Sequence, residues 1–327
     1  MRVLVTGGAG YIGAHVVRAL AEAGHGPIVV DDLRRAREGR LEGFPHERVA
    51  IEDVPGVLRV FERHRPEAVA HLAGYISVRE SVAQPELYWQ NNTAAAAALL
   101  LACARVPVKA FLFSSTAAVY GNAAVSPIPE TAALAPTSPY GASKLAFERL
   151  LHDAARGLGF RSVALRYFNA AGAHPGWLVG EEHEPEEHLI PRVVQALLDE
   201  RPVTVYGRDY PTPDGTCVRD YIHVTDLAHA HVRLLEATGL PSGTSVNCGT
   251  GRGTSVLQVI KAVGQALGVA PRTLFQERRP GDPASLVADP GALVERAVWK
   301  PVHSGLAEIV ESAIAWERRR RAGRRPS

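Results

Sequence analysis

Along the first third of the chain, short apolar runs at 3–5, 28–30, 49–51, 68–72 and 110–113 alternate with stretches whose apolar residues recur every three to four positions. The runs have the length of buried strands, and the periodic stretches fit helices at 12–23, 56–65, 92–105 and 139–157. Ser138 is placed to cap the last helix, with Pro139 at its first helical position. Strand followed by helix, repeated, predicts βαβ units. The fold class is therefore α/β, a doubly wound parallel sheet with helices on both faces. Two further strands are expected at 162–168 and 244–247.

The texture changes after Phe168 to Gly, Pro, His and Glu up to about Glu187, which marks the start of a second, smaller C-terminal α/β region that shapes a substrate site. Val224-Thr225-Asp226 opens a further helix, with Thr or Asp as its cap. Residues 254–317 read as helices and one short strand. The division expected is 1–169 with 217–252 returning to it, then 170–216 and 253–317, then a basic, disordered tail at 318–327.

Composition narrows the class. Apolar residues make up 46% and charged residues 21% of 327 residues, ordinary globular usage with a core large enough for one big domain or two intimate ones. The longest apolar run, 94–104, is too short to span a bilayer. Lys+Arg is 36 and Asp+Glu 34, but six arginines fall in the last ten residues, leaving an acidic body and a basic tail. That balance gives no sign of a nucleic-acid or membrane partner. Cys103, Cys217 and Cys248 lack a CxxC spacing, so no disulfide framework and no metal site is expected. Met1 runs directly into an apolar strand without the features of a signal peptide, so a reducing cytoplasm is expected.

Two constellations carry chemistry. Gly7, Gly10 and Gly13 follow the first strand and open the first helix: a tight turn, an approach for a pyrophosphate, and close packing of helix on strand. In so glycine-rich a chain the strand before them and the acid after them carry the argument. Asp31 ends the second strand, where a carboxylate accepts bonds from both adenosine ribose hydroxyls and repels a 2′-phosphate, favouring NAD over NADP. Asp53 is placed either to bond the adenine or to cap a loop. Tyr140 and Lys144 lie four apart, on one helix face, where an ammonium favours the phenolate. Ser114, Ser115 and Thr116 put hydroxyls at the carboxyl edge of the sheet, where one of them could relay a proton to Tyr140.

At this point the sequence resembles the extended short-chain dehydrogenase/reductase superfamily and, within it, the UDP-glucose 4-epimerase family. The resemblance rests on His71-Leu72-Ala73-Gly74, Asn91-Asn92, the run from Phe113 through Ser114-Ser115-Thr116 to Gly121, and Leu165-Arg166-Tyr167-Phe168-Asn169. Its most specific part is Tyr206-Gly207-Arg208-Asp209-Tyr210-Pro211-Thr212-Pro213-Asp214-Gly215-Thr216-Cys217-Val218-Arg219-Asp220-Tyr221-Ile222-His223-Val224.

The resemblance implies a Rossmann-like domain whose tightly held NAD takes a hydride from C4 of a UDP-hexose while Tyr140 removes the O4 proton. Lys144 would bind the nicotinamide ribose and lower the tyrosine pKa, and Thr116 would bond the reacting O4. Around the pyrophosphate and adenosine it implies Tyr11, Ile12, Asp32, Leu33 and Val54 beside the glycines, Asp31 and Asp53. Around the nicotinamide half it implies Leu72, Ala73, Gly74, Asn92, Ser114, Tyr167 and Phe168. On the substrate side, Arg219 and Arg279 would clamp the diphosphate, Tyr206 would pack on uracil, Asp282 would bond its ribose and Asn169 would orient the sugar. His188, Leu189, Thr204 and Leu286 complete that set. A homodimer packed through the 93–104 and 139–157 helices is implied as well.

Some positions depart from the best-known members. Ile76 stands where they carry a lysine reaching cofactor and sugar, His188 stands in place of an asparagine, and Leu286 occupies a position that helps decide whether an N-acetyl group fits. Ala117-Ala118 after Thr116 remove the acid and base that a sister 4,6-dehydratase needs. Epimerisation of another UDP-sugar and a silent NAD-binding scaffold stay open as alternatives.

Overall fold

The apolar runs become strands because both faces of the sheet they form are covered. The computed structural model describes residues 1–36, 38–177, 179–279 and 281–323. The first half runs β1 (Arg2–Thr6), α1 (Tyr11–Glu22), β2 (Gly26–Val30), β3 (His46–Glu47), α2 (Val54–His64), β4 (Ala68–His71), α3 (Val78–Ala83), α4 (Pro85–Trp89), α5 (Ala97–Arg105), β5 (Ala110–Thr116), α6 (Pro139–Leu158) and β6 (Arg161–Tyr167). The second half runs β7 (Asn169–Ala171), β8 (Ala173–His174), β9 (Val179–Gly180), α7 (Leu189–Leu198), β10 (Val203–Tyr206), β11 (Val218–His223), α8 (Val224–Glu236), β12 (Thr244–Cys248), β13 (Gly253–Ser255), α9 (Val256–Leu267), β14 (Thr273–Gln276), β15 (Ser285–Leu286), α10 (Gly291–Ala297) and α11 (Leu306–Ala322).

Seven strands form one parallel sheet in the order β12-β6-β5-β4-β1-β2-β3. Successive residues point to opposite faces. Val3 and Val5 pack with Val16, Val17 and Leu20 of α1 and Leu227 of α8, while Leu4 packs with Phe61 of α2, Leu99 of α5 and Phe147 of α6. Each such side chain contributes about 1.5–3 kcal/mol on burial, which is why these strands are apolar throughout rather than alternating. The strand order reverses between β1 and β4. At that crevice the carboxyl ends of the strands leave room for a ligand.

The second region has its own core, in which Ile190 and Val194 of α7, Val205 of β10, Val259 of α9 and Ile309 of α11 meet. β11 lies between β13 and β15 and also pairs with β7, while β10 pairs with β14. The returning stretch 217–252 is thus divided: β12 enters the large sheet and α8 packs on α1, but β11 belongs to the small sheet.

Several expectations need correction. The third strand is His46–Glu47, not 49–51. At the sheet edge two polar residues suffice to pair with Val29 and Val30, and Val49 and Ile51 instead bury their side chains in the core under α2. The 92–105 helix starts as a wide π turn at Gln90–Ala95 before α5. The cap of α8 is His223, whose Nδ1 accepts from Thr225 N at 3.1 Å; Asp226 accepts instead from the amides of Val302 and His303 at 3.0 and 2.8 Å. From residue 253 onward the described residues form three short strands, not one, each paired with a partner distant in sequence. Residues 318–322 are helical rather than disordered: Arg320 meets Glu317 at 2.7 Å, and Arg321 meets Glu317 at 2.7 Å and Asp199 at 2.6 Å. Residues 324–327 of the expected tail lie outside the described residues. Among the described residues no helix is long and apolar enough to cross a membrane.

Candidate functional site

β1 ends at Thr6 and the chain turns at Gly7, whose φ of +70° suits glycine and whose amide donates to Val30 O at 2.8 Å. A Cβ at Gly7 would stand 2.6 Å from Ala73 N, and one at Gly13 only 2.0 Å from the Gly7 carbonyl. The loop therefore lies against both β4's end and its own helix. Gly10 sits at the N-cap of α1 without a side-chain cap, so Tyr11 and Ile12 begin a helix whose first amides have no acceptor within it. Asp31 holds the turn from the next strand, its carboxylate accepting from Ala9 N at 3.0 Å and Leu33 N at 2.9 Å. Burial pushes the Asp31 carboxyl up, opposed by those two amides. Asp32 caps the next turn through Arg34 N at 2.9 Å, and Leu33 takes a positive φ of 62°. Asp53 caps α2, where Val54 is the first helical residue, through Gly56 N at 3.0 Å.

At the end of β4, Leu72 N donates to Thr6 O and Ala73 N to Thr6 Oγ1. A Cβ on Gly74 would lie 3.1 Å from Asn92 Oδ1 and 3.3 Å from Lys144 Nζ, so three expected residues converge at one point. Asn92 sits in the π turn, accepts from Tyr75 N at 2.8 Å and donates to Tyr75 O at 3.0 Å, which ties the β4 loop to the helical layer. α6 begins as expected, with Ser138 Oγ accepting from Gly141 N at 3.2 Å. It buries Tyr140 and Lys144 together. Lys144 Nζ donates to Ser114 O at 3.1 Å and lies 4.9 Å from the Phe113 ring.

The electrostatics differ from the implied pattern. Burial pushes the Tyr140 phenol above its usual value, and the hydroxyl of Thr116 is the group that opposes this. Lys144 is pushed down to about 8 by burial, with Glu148 opposing. Ser114 Oγ turns to His231 Nε2 at 2.8 Å, and Tyr167 lies beside Ser114 and Tyr140, its phenol raised chiefly by burial. Phe168 N donates to Cys248 O, placing its ring in the small cluster with Ala117, Tyr120 and Leu145.

On the second region, Thr204 and Tyr206 share one face of β10. Arg279 stacks over Tyr206 at 3.9 Å and lowers its phenol pKa. Arg219 is held by Val218 O and Pro283 O at 2.9 Å each, stands 3.8 Å from Asp282, and faces Leu286 across the β11–β15 pairing. Asn169 Nδ2 donates to Asp220 O, so β7 carries this strand to the end of β6. His188 caps α7 just before Leu189, but its Nδ1 is taken by Glu181 at 2.8 Å and Glu186 at 3.1 Å. Ile76 is 41% exposed beside Tyr75, on whose ring Arg35 stacks at 3.9 Å.

The sequence reading missed Arg192 of α7, which joins Arg279 in lowering the Tyr206 phenol pKa. It also missed buried Arg40, which reaches Ala9 O at 3.4 Å and Gly180 O at 3.1 Å. Neither stands in a motif; only their non-local contacts mark them.

Residues 3–249 match the NAD dependent epimerase/dehydratase family. A UDP-glucose 4-epimerase of Azospirillum brasilense is 48% identical over 97% of this chain and 92% of its own. A crystal structure of UDP-glucose 4-epimerase from Brucella ovis in complex with NAD is 42% identical, with a TM-score of 0.91 over 96% of this chain and 97% of that one. The Bifidobacterium longum UDP-glucose 4-epimerase, in complex with NAD+ and UDP, is 37% identical with a TM-score of 0.93 over 99% of this chain and all of that one (100%). A glycine cradle at the sheet's reversal, a buried tyrosine and lysine on the facing helix and full-length relatives of one kind agree: the chain belongs to the NAD dependent epimerase/dehydratase family.

Proposed function

We propose that the protein is a UDP-glucose 4-epimerase that interconverts UDP-glucose and UDP-galactose through a 4-keto sugar. The observation that carries this reading is the meeting of Gly74, Asn92 and Lys144, with Thr116 beside Tyr140, at the carboxyl edge of β4 and β5. NAD fits the chain's own residues, because Gly7 and Gly13 let the loop lie tight on β4's end and on α1, the helix opens there with free amides, and Asp31 is fixed at the end of β2. When bound there, NAD supplies hydride acceptance and return at C4.

The protein's part is to hold and move a proton. Burial favours the protonated Tyr140 phenol in the chain alone; in the reaction its phenolate would take the proton from O4, and the phenol so formed would return it to the oxyanion as hydride comes back. Thr116 positions the phenol, and Asn92 and Gly74 shape the space beside Lys144. Hydride return to the opposite face requires the sugar to turn. Grip must therefore fall on the remote end, and Arg219, Arg279, Tyr206 and Asp282 form such a handle for a uridine diphosphate. The proposal extends to the domain division of 1–169 with 217–252 and 170–216 with 253–317, β11 excepted: α8 and β12 with 1–169 hold NAD, and β11 joins the UDP-sugar region. It extends also to a cytoplasmic homodimer through α5 and α6, where Leu101 and Leu150 stand 58% and 38% exposed.

The test is a panel of UDP-galactose, UDP-N-acetylgalactosamine, UDP-glucuronate and UDP-arabinose with the wild-type protein and Tyr140→Phe. Turnover of UDP-galactose to UDP-glucose is expected, with a loss of at least about a thousandfold in Tyr140→Phe while UDP binding persists. Activity on a different sugar alone moves the reading to another UDP-sugar 4-epimerase. UDP binding without any turnover returns it to a silent scaffold.

A further inference from the structure

Between β9 and α7, among five glutamates and two histidines, the chain brings together Glu181, His183, Glu186 and His188. One ligand atom from each lies within 4.8 Å of all the others. We propose that these four side chains bind one divalent transition-metal ion of the zinc class, as a clip on this loop and apart from the hydride chemistry.

The geometry suits such an ion. His188 Nδ1 stands 2.8 Å from Glu181 Oε1 and 3.1 Å from Glu186 Oε1, and His183 Nδ1 stands 3.5 Å and 3.7 Å from the same two carboxylates. Ligands at zinc's bond lengths around a tetrahedral centre are separated by roughly 3.3 Å, and the four distances bracket that value. The remaining pairs lie within 4.8 Å, so closing the set onto one ion takes side-chain rotation as well. Two imidazoles with two carboxylates suit zinc, cobalt or manganese, whereas calcium and magnesium favour all-oxygen shells.

A second observation points to a ligand. His183 Nδ1 is sealed from solvent and makes no hydrogen bond of good geometry, its nearest acceptors being the Glu181 and Glu186 carboxylates at 3.5 and 3.7 Å. An ion between them would replace these long contacts with a direct bond to the ring nitrogen. The two rings lie 5.0 Å apart, each turning Nδ1 towards the same carboxylates.

The surroundings hold the ligands in place before an ion arrives. Glu186 also accepts from the backbone amides of His183 and His188 at 3.4 and 2.9 Å, and Trp316 Nε1 anchors the Glu181 carbonyl at 2.9 Å. Two other acids of the loop are turned elsewhere, Glu182 to Arg40 and Arg320 and Glu187 to Ser77. The His183 ring meets Tyr11 edge-on at 6.4 Å, and Tyr11 donates to Gly172 O at 2.6 Å. A bound ion would thus fasten β9 and the start of α7 one ring away from the first residue of the cofactor-loop helix.

The experiment uses the full chain, stripped with chelator and titrated with Co²⁺. One cobalt per chain is expected, with the intense visible band of a four-coordinate site that added Zn²⁺ abolishes. Affinity should fall at least about tenfold in His183→Ala and in Glu186→Gln, and Zn²⁺ should raise the wild-type Tm but not that of the variants. Absence of a stoichiometric band in the wild type overturns the proposal whatever the variants do. So does binding that is unchanged in both variants, folded by circular dichroism.

Discussion

Removal of the Glu148 charge is the perturbation whose cost the structure specifies most fully. Glu148 lies one turn after Lys144 on α6 and is 2% exposed; Arg166 of β6 is 4% exposed. Arg166 donates from Nε to both carboxylate oxygens at 3.1 and 3.2 Å and from NH2 at 2.7 Å, while its NH1 donates to Tyr120 at 3.0 Å. Ser115 also donates to Glu148. Burial works against the Arg166 charge, but Glu148 and Tyr120 outweigh it and hold the guanidinium protonated. Glu148→Gln leaves that buried cation uncompensated, at a cost of about 3–5 kcal/mol. For a chain of this length an unfolding entropy of about 2.1 cal/mol/K per residue turns this into a Tm drop of roughly 4–7 °C.

The same carboxylate opposes the burial that brings Lys144 down to about 8. Its loss lowers Lys144 further, so the ammonium discharges at lower pH and the alkaline limb of kcat/KM moves to lower pH. Calorimetry and a pH–rate profile read the two effects separately. In Glu148→Gln with Arg166→Met, stability should recover towards wild type, because an apolar replacement leaves no buried charge. A Tm loss below about 1 °C in the single variant, or additive losses in the double variant, refutes the reasoning.

Gly13→Ala forces a Cβ to 2.0 Å from the Gly7 carbonyl, so the purified variant should carry at least about tenfold less NAD by chromatography of released cofactor; undiminished content contradicts the packing argument. His15, His223 and His231 are buried and held neutral, pushed down by burial to about 3, 4 and 4. Between their ordinary value of 6.5 and those values only the unfolded chain binds the protons, so stability is full above 6.5 and falls as pH drops, by up to about 1.4 kcal/mol per histidine per pH unit. The urea midpoint should therefore be lower at pH 5 than at pH 7, and an equal midpoint counts against it. Arg320→Ala with Arg321→Ala leaves Glu317, 4% exposed, without its two partners. A loss of about 1–3 kcal/mol is expected from urea unfolding, discounted for the partial exposure of both arginines, and no loss contradicts a structural role for the basic helix end.

Much of the large sheet was legible because its strands are continuous apolar runs with helical periods between them, and Ser138, Pro139 and the Gly7 to Gly13 loop announce their own geometry. β3 was not, because His46 and Glu47 sit at an edge where pairing needs no apolar side chain. β13, β14 and β15 are two to four residues long and exist only through partners elsewhere in the chain. The run of arginines at 318–321 suggests a solvated tail until Asp199 and Glu317 are placed opposite it. The Tyr140 and Lys144 pair was visible as spacing, but spacing carries no burial, so the raised phenol and the lowered ammonium appear only with Ser114, Phe113 and Thr116 around them. His188 was visible as a position. Its engagement by Glu181 and Glu186 depends on the loop folding back on itself.

The most direct test of the central claim follows the hydrogen at C4. UDP-galactose deuterated at that carbon is incubated with the purified protein in ordinary water without added reductant, and the product is read by NMR. UDP-glucose that keeps deuterium at C4 is the predicted result, since the hydride leaves and returns within one closed site. Absence of conversion, or UDP-glucose carrying solvent hydrogen at C4, would contradict it.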